Sequence, residues 1–314
     1  MAEAPRAPLR IGLIDMNNGV ANQAIRSFRS LIAAFGERAS AANPGLRVQV
    51  THVQPRNLGE APPEGCDLYL STGGPDSPLD GFKEAWTPAY RTFLDRIVEG
   101  QLAHGPTSPA AFVVCYSFEI ATLHFQVATM APRERKFGSM PVYPTEEGRA
   151  SPLFRPFGDR LFAWEHRCWQ AIDLDEKRLR ELGGALYALE SRDGVSKGRG
   201  LMSFRFAPGI EGTIFHPEAD RPGVLAWIQR PEQAKAVIDA YGEVTYERML
   251  RTIDDPTRLA RTYNLLLPGW LSRQFNALAP ARGWNPIADP SYDATALGAF
   301  GKPGDEALEA RGAT

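Results

Sequence analysis

The sequence predicts an α/β fold with a mostly parallel central sheet flanked by helices, plus C-terminal helices. Three observations predict it. Strand-like and helix-like segments alternate through the first part of the chain, the segment Ala111-Phe112-Val113-Val114-Cys115 is apolar throughout, and residues beyond 223 place apolar side chains at helical spacing. Alternation of strands and helices builds parallel sheets, and a strand with no polar face expects cover on both sides.

The elements follow in order. Residues 9–15 read as a buried strand, and after an Asn-Asn-Gly turn Ala24, Phe28, Leu31, Ile32 and Phe35 mark a helix. Residues 46–53 alternate like a strand, and residues 66–71 form a short apolar strand that runs into Thr-Gly-Gly-Pro-Asp, a turn signal. An amphipathic helix is expected over 90–102, a strand over 111–115 and a helix over 117–128. The middle of the chain offers short strands at 137–143, 161–164, 186–190, 201–206 and 212–215, with one helix at 175–182. Helical pattern then runs from 223 to 278, and Asp254-Asp255-Pro256 reads as a helix start. This organisation implies a domain over 9–230, a helical extension over 231–280 and a poorly ordered tail over 281–314, rich in Ala, Gly, Pro and Asp.

Composition narrows the function classes. Lys and Arg total 35 against 37 Asp and Glu, a net charge of −2, so no basic excess exists to hold a phosphate backbone and nucleic acid is not an expected partner. No apolar run approaches the roughly 20 residues of a bilayer span, and the opening MAEAPRAPLR lacks the apolar region of a secretion signal. Cys66, Cys115 and Cys168 are too few and too scattered for a disulfide framework, which points to a reducing cytoplasm.

The chemistry gathers at three places. Cys115 sits where an apolar strand ends and a helix begins, the arrangement of a nucleophile elbow, and the helix amino end favours a thiolate. Strand residues 212–215 lead into His216-Pro217-Glu218, where the imidazole takes a thiol proton and the carboxylate two residues on orients the ring. Gly73-Gly74-Pro75 follows another strand, and its glycines let backbone amides approach an acyl oxygen. His166 and Cys168 lack a second ligand cluster, so no metal is expected, and no cofactor motif is present. Lys197-Gly198-Arg199-Gly200 lacks the spacing of a phosphate-binding loop and reads as a solvated turn. Trp164 and Trp169 flank His166 and suit either core packing or the wall of a substrate cleft.

The order Gly-Gly-Pro, strand-Cys-helix, His-Pro-Glu resembles the class I glutamine amidotransferases over residues 9–230. The resemblance implies a Cys-dependent amide hydrolase working through a thioester, with catalytic residues Cys115, His216 and Glu218 and an oxyanion hole from Gly73, Gly74 and the amide of Tyr116. It implies substrate-facing positions at Ser117, Glu119 and Trp169, no cofactor, and a small-molecule amide as substrate. With no synthetase module expected, ammonia goes to a separate acceptor enzyme or to water. The family's elbow is Gly-x-Cys-x-Gly-x-Gln, whereas here the same offsets hold Val113, Cys115, Ser117 and Glu119. Glu119 either contacts substrate with a carboxylate or sits in the first turn of its helix, where the dipole favours it. Two other readings stay open. One is a Cys-dependent acyltransferase similar to the homoserine O-succinyltransferases, whose His-Pro-Glu-Tyr-Asp is close to His-Pro-Glu-Ala-Asp here. The other is a non-catalytic binding or regulatory module.

Overall fold

The computed structural model describes residues 7–192 and 200–293. Most of the 197–200 turn and everything beyond 293 lie outside the described residues. The first half builds β1 (Leu9–Ile14), α1 (Ala24–Ala42), β2 (Val48–Val53), α2 (Pro55–Leu58), β3 (Leu68–Ser71), α3 (Pro78–Gly81), α4 (Thr87–His104), β4 (Ala110–Val114) and α5 (Tyr116–Phe125). The second half adds β5 (Thr129–Pro144), α6 (Glu146–Ala150), β6 (Leu161–Ile172), α7 (Glu176–Glu181), β7 (Ala185–Leu189), β8 (Leu201–Ala207) and β9 (Ile210–Thr213). Four helices close the described chain: α8 (Arg221–Ile228), α9 (Pro231–Tyr241), α10 (Glu243–Ile253) and α11 (Leu259–Arg282).

The strands form one sheet in the order β2-β1-β3-β4-β9-β8-β7-β5-β6. From β2 to β9 the neighbours pair parallel, and from β9 to β6 they pair antiparallel. β4 sits in the middle of the parallel part with every side chain buried, as its wholly apolar sequence requires. No described helix is long and apolar enough to cross a membrane.

Several boundaries differ from the sequence reading, three of them for a physical reason that bears on the site or the core. β6 continues to Ile172 instead of stopping at Trp164, because Glu165 and Arg167 are buried in mutual ion pairing rather than turned to solvent. Asp255 does not start a helix: its carboxylate accepts the Thr257 backbone N–H at 2.8 Å in a turn that precedes α11. The tail begins later than 281. α11 runs to Arg282, after which Trp284 stacks on Phe275 with ring centroids 5.1 Å apart, and the Asn285 N–H donates to Asn43 at 2.6 Å.

The C-terminal helices share the main core. Trp270 is fully buried edge-on against Phe112 of β4, and Phe275 meets Phe35 of α1. Val237, Met249, Ile253 and Leu259 pack with Phe137 and Trp164 in a second apolar cluster. A chain ending at residue 230 would expose all of this surface. It is expected to aggregate or bind a hydrophobic dye strongly in light-scattering and fluorescence assays; a monodisperse, fully active fragment would contradict the packing described here.

Candidate active site

The carboxyl ends of three neighbouring parallel strands converge on one point, as the topology of open α/β sheets dictates. β3 delivers Thr72-Gly73-Gly74, β4 delivers Cys115, and β9 delivers His216. Cys115 has φ 49° and ψ −108°, a conformation that a non-glycine residue holds only when its surroundings impose it. Its N–H is fixed on the Thr213 carbonyl at 2.8 Å, and its own carbonyl accepts from Glu119 at the start of α5. The sharp turn between β4 and α5 thereby lifts the sulfur above the sheet, close enough to the His216 imidazole for each to shift the other's pKa.

His216 is held from two sides. Its backbone N–H donates to the Trp164 carbonyl at 2.9 Å, and its Nδ1 lies 2.8 Å from Glu218 Oε1. Glu218 is almost wholly buried. Burial works against charge on His216, yet the Cys115 sulfur and the Glu218 carboxylate outweigh it and hold the imidazole well above its ordinary pKa. Burial pushes the Cys115 thiol up despite the opposing pull of His216. The thiol and the imidazole thus form an acid–base pair that shares one proton between sulfur and ring.

Glycine is required at both positions of the β3 loop. A Cβ on Gly73 would lie 2.9 Å from His216 Cε1 and 3.0 Å from Cys115 Cβ, and one on Gly74 would lie 2.0 Å from the Met16 carbonyl oxygen. The backbone therefore comes within contact of the nucleophile. Tyr116 opens α5, so its N–H has no acceptor within the helix and belongs to the positive helix end beside Cys115. Its side chain goes elsewhere, with the Arg56 guanidinium 4.1 Å above the ring.

Ser117 corrects the sequence reading. It is fully buried, donates to the Thr72 carbonyl at 2.6 Å and shares a hydrogen bond of 2.7 Å with Ser71, so its hydroxyl is spent on tying α5 to the β3 loop rather than on a substrate. Glu119 and Trp169 do line the cavity above Cys115. Glu119 lies in the first turn of α5. Burial pushes its carboxyl up to about 7, against the opposing influence of Arg167 and His216.

The cavity has a volume of about 650 Å³, with a wall that is mostly apolar. Gly73, Cys115 and His216 form its floor, Trp164, Trp169 and Trp227 line its wall, and the loop after β1 contributes Asn17 and its neighbours. Beneath β6 lies an ion network that the sequence reading missed. Arg167 Nε donates to Glu165 at 2.7 Å, while Lys136 reaches Glu165 at 2.9 Å and Glu190 at 2.5 Å. Burial opposes ionisation of Glu165, but Arg167 and Lys136 hold its carboxyl below the usual range. Glu165 and Arg167 are two apart, the spacing that places two strand residues on one face, and that was the available signal. Among the described residues no cluster of three His, Cys, Asp or Glu is arranged to hold a metal ion.

No protein-family model matches the sequence, and no curated protein matches it. Solved structures do match the architecture. A glutamine amidotransferase from Thermotoga maritima aligns over 85% of this chain and 97% of that one, at 15% identity and a TM-score of 0.58. The chain has a class I glutamine amidotransferase-like fold. A glutamine amido transferase from Methylobacillus flagellatus aligns over 91% of this chain and 100% of that one, at 12% identity and a TM-score of 0.57. That likeness covers the sheet and its flanking helices, and Val113, Ser117 and Glu119 lie around Cys115 in this chain.

Charge on Glu119 opposes a thiolate on Cys115, because both would be negative in a buried space. Protonated, Glu119 is neutral and can donate a hydrogen bond. The ratio of kcat/KM for wild type over Glu119→Gln, taken on glutamine, is therefore expected to fall by about tenfold as pH rises through 7. Taking the ratio removes the part of the Cys115 and His216 titration that the two proteins share. A ratio flat between pH 5.5 and 8.5 would remove Glu119 from the site's electrostatics.

Proposed function

We propose that this protein is a Cys-dependent amide hydrolase acting on glutamine or a γ-glutamyl-type amide through a thioester. The observation that carries the reading is the strained Cys115 beside a His216 that Glu218 braces, with the Gly73 backbone against both. His216 takes the thiol proton as Cys115 Sγ bonds to the amide carbon, and the carbonyl oxygen becomes an oxyanion facing the amides of Gly73, Gly74 and Tyr116. The C–N bond then breaks as the imidazolium returns its proton to the departing nitrogen. Water, deprotonated by His216, attacks the thioester, releasing the acid and regenerating the thiol.

Ammonia or amine from this cycle passes to a separate acceptor enzyme or to water. A free thiol nucleophile suits a reducing cytoplasm. The test is a panel of glutamine, γ-glutamyl amides and acyl-CoAs. Cys115-dependent release of ammonia or amine supports the reading. Release of CoA instead would make the protein an acyltransferase, and release of neither would make it a binding module.

A further inference from the structure

The cavity is also lined by His166, Arg135 and Trp227, which the hydrolytic chemistry does not use. His166 lies two residues along β6 from Trp164, whose carbonyl holds His216, and it is close enough to His216 to feel its charge. Burial first, then Arg135 and His216, push His166 down to about 3, so its ring is neutral and works as an acceptor. Arg135 donates to His166 Nε2 at 2.8 Å. The guanidinium also lies 5.9 Å from the Trp227 ring centroid and 5.8 Å from that of Phe137, within cation–π range. The Arg135 carbonyl accepts from Tyr241 of α9, and Phe137 is packed against α10 through Met249. The C-terminal helices therefore buttress this part of the wall.

Three other charged groups at the cavity are paired. Asp76 is paired with Arg56 at 2.8 Å, Asp220 with Arg26, and Arg167 with Glu165 at 2.7 Å. Arg135 lines the same cavity, and its polar side-chain bond among the described residues is to a neutral imidazole. It retains N–H donors in a fork suited to a carboxylate. A cavity of about 650 Å³ falls in the range of sites for drug-sized ligands, and Trp164, Trp169 and Trp227 give it planar walls.

We infer that the part of the cavity around His166 and Arg135 is a subsite for an aromatic carboxylate carried on the nitrogen of the scissile amide, with its ring along the tryptophans and its carboxylate on Arg135. The inference rests on the hydrolase reading in one respect only. His216 returns its proton to the departing nitrogen, so a subsite that borders His216 through His166 is placed to receive the leaving amine rather than the acyl group.

The probes are γ-glutamyl-4-aminobenzoate and γ-glutamylanilide, which differ by the carboxylate alone. Their Kd values are measured by calorimetry on full-length Cys115→Ala, where turnover does not interfere. The carboxylate probe is expected to bind about tenfold more tightly, as one charge-assisted contact allows. Adding Arg135→Gln is expected to reduce the ratio to below about threefold, and Arg135→Lys, which keeps the charge but loses the fork, to leave an intermediate value. Equal Kd values for the two probes on Cys115→Ala would overturn the subsite, as would a ratio that Arg135→Gln leaves unchanged in a variant of native circular dichroism. Loss of the hydrolase reading looks different: the binding ratio holds, and the wild type releases no amine from either probe.

Discussion

Cys115→Ala lowers amide cleavage by at least ~10⁴-fold while the protein stays folded, because it removes the atom that bonds to the acyl carbon and nothing that holds the elbow. The turn is set by backbone bonds of Cys115 to Thr213 and Glu119, which alanine keeps. Alanine also keeps the Cβ and therefore the cost of φ 49°. Cys115→Gly relieves that cost and is expected to be more stable than Cys115→Ala by about 1–2 kcal/mol, read as a higher denaturation midpoint. Equal stability of the two variants would mean that the elbow stores no strain. Wild-type turnover in Cys115→Ala would end the account.

His216→Ala is expected to cost a further-reaching loss than Glu218→Gln. Without the imidazole neither the thiol nor the departing nitrogen has a proton partner, and the rate falls by roughly 10³- to 10⁴-fold or more. Glu218→Gln keeps a hydrogen-bonding group at Nδ1 but removes the charge that supports the imidazolium, so a measurable residue of activity survives. The two members of the pair act as one unit. Cys115→Ala combined with His216→Ala is therefore expected to be no slower than Cys115→Ala alone, in steady-state assays of ammonia release. Multiplicative losses in the double variant would show that His216 acts somewhere other than on the sulfur.

The legible part of the molecule was the part written in local pattern. An apolar pentapeptide ending in cysteine, followed by a helix, could be placed in the centre of a sheet, and His216 and Glu218 could be paired, because strand ends and turns set their directions over a few residues. What was illegible depends on distant partners. Glu165 and Arg167 fell outside the expected strand, because only Lys136 of β5 and Glu190 just past β7 make their burial tolerable. Ser117 looked substrate-facing by its offset from the cysteine, but Ser71 and Thr72, far away in sequence, claim its hydroxyl. Trp270 gave its helical spacing away, yet only the assembled core shows that it rests on Phe112 beneath the nucleophile's strand.

The thiols also need separating, because their exposure does not follow their proposed roles. Cys168 is exposed and lines the cavity, Cys66 is buried with its thiol pushed up by burial, and Cys115 is buried beneath the cavity it serves. Simple alkylation would therefore favour Cys168 through access alone. Acylation by substrate does not share that bias, since it needs a base and an oxyanion site. The most direct measurement is intact mass spectrometry after rapid acid quench of the protein turning over glutamine or a γ-glutamyl amide, followed by peptide mapping. The account predicts a single γ-glutamyl adduct on Cys115, still formed in Cys168→Ser and absent in Cys115→Ala. An adduct confined to Cys168, or amide turnover that persists without Cys115, would contradict it.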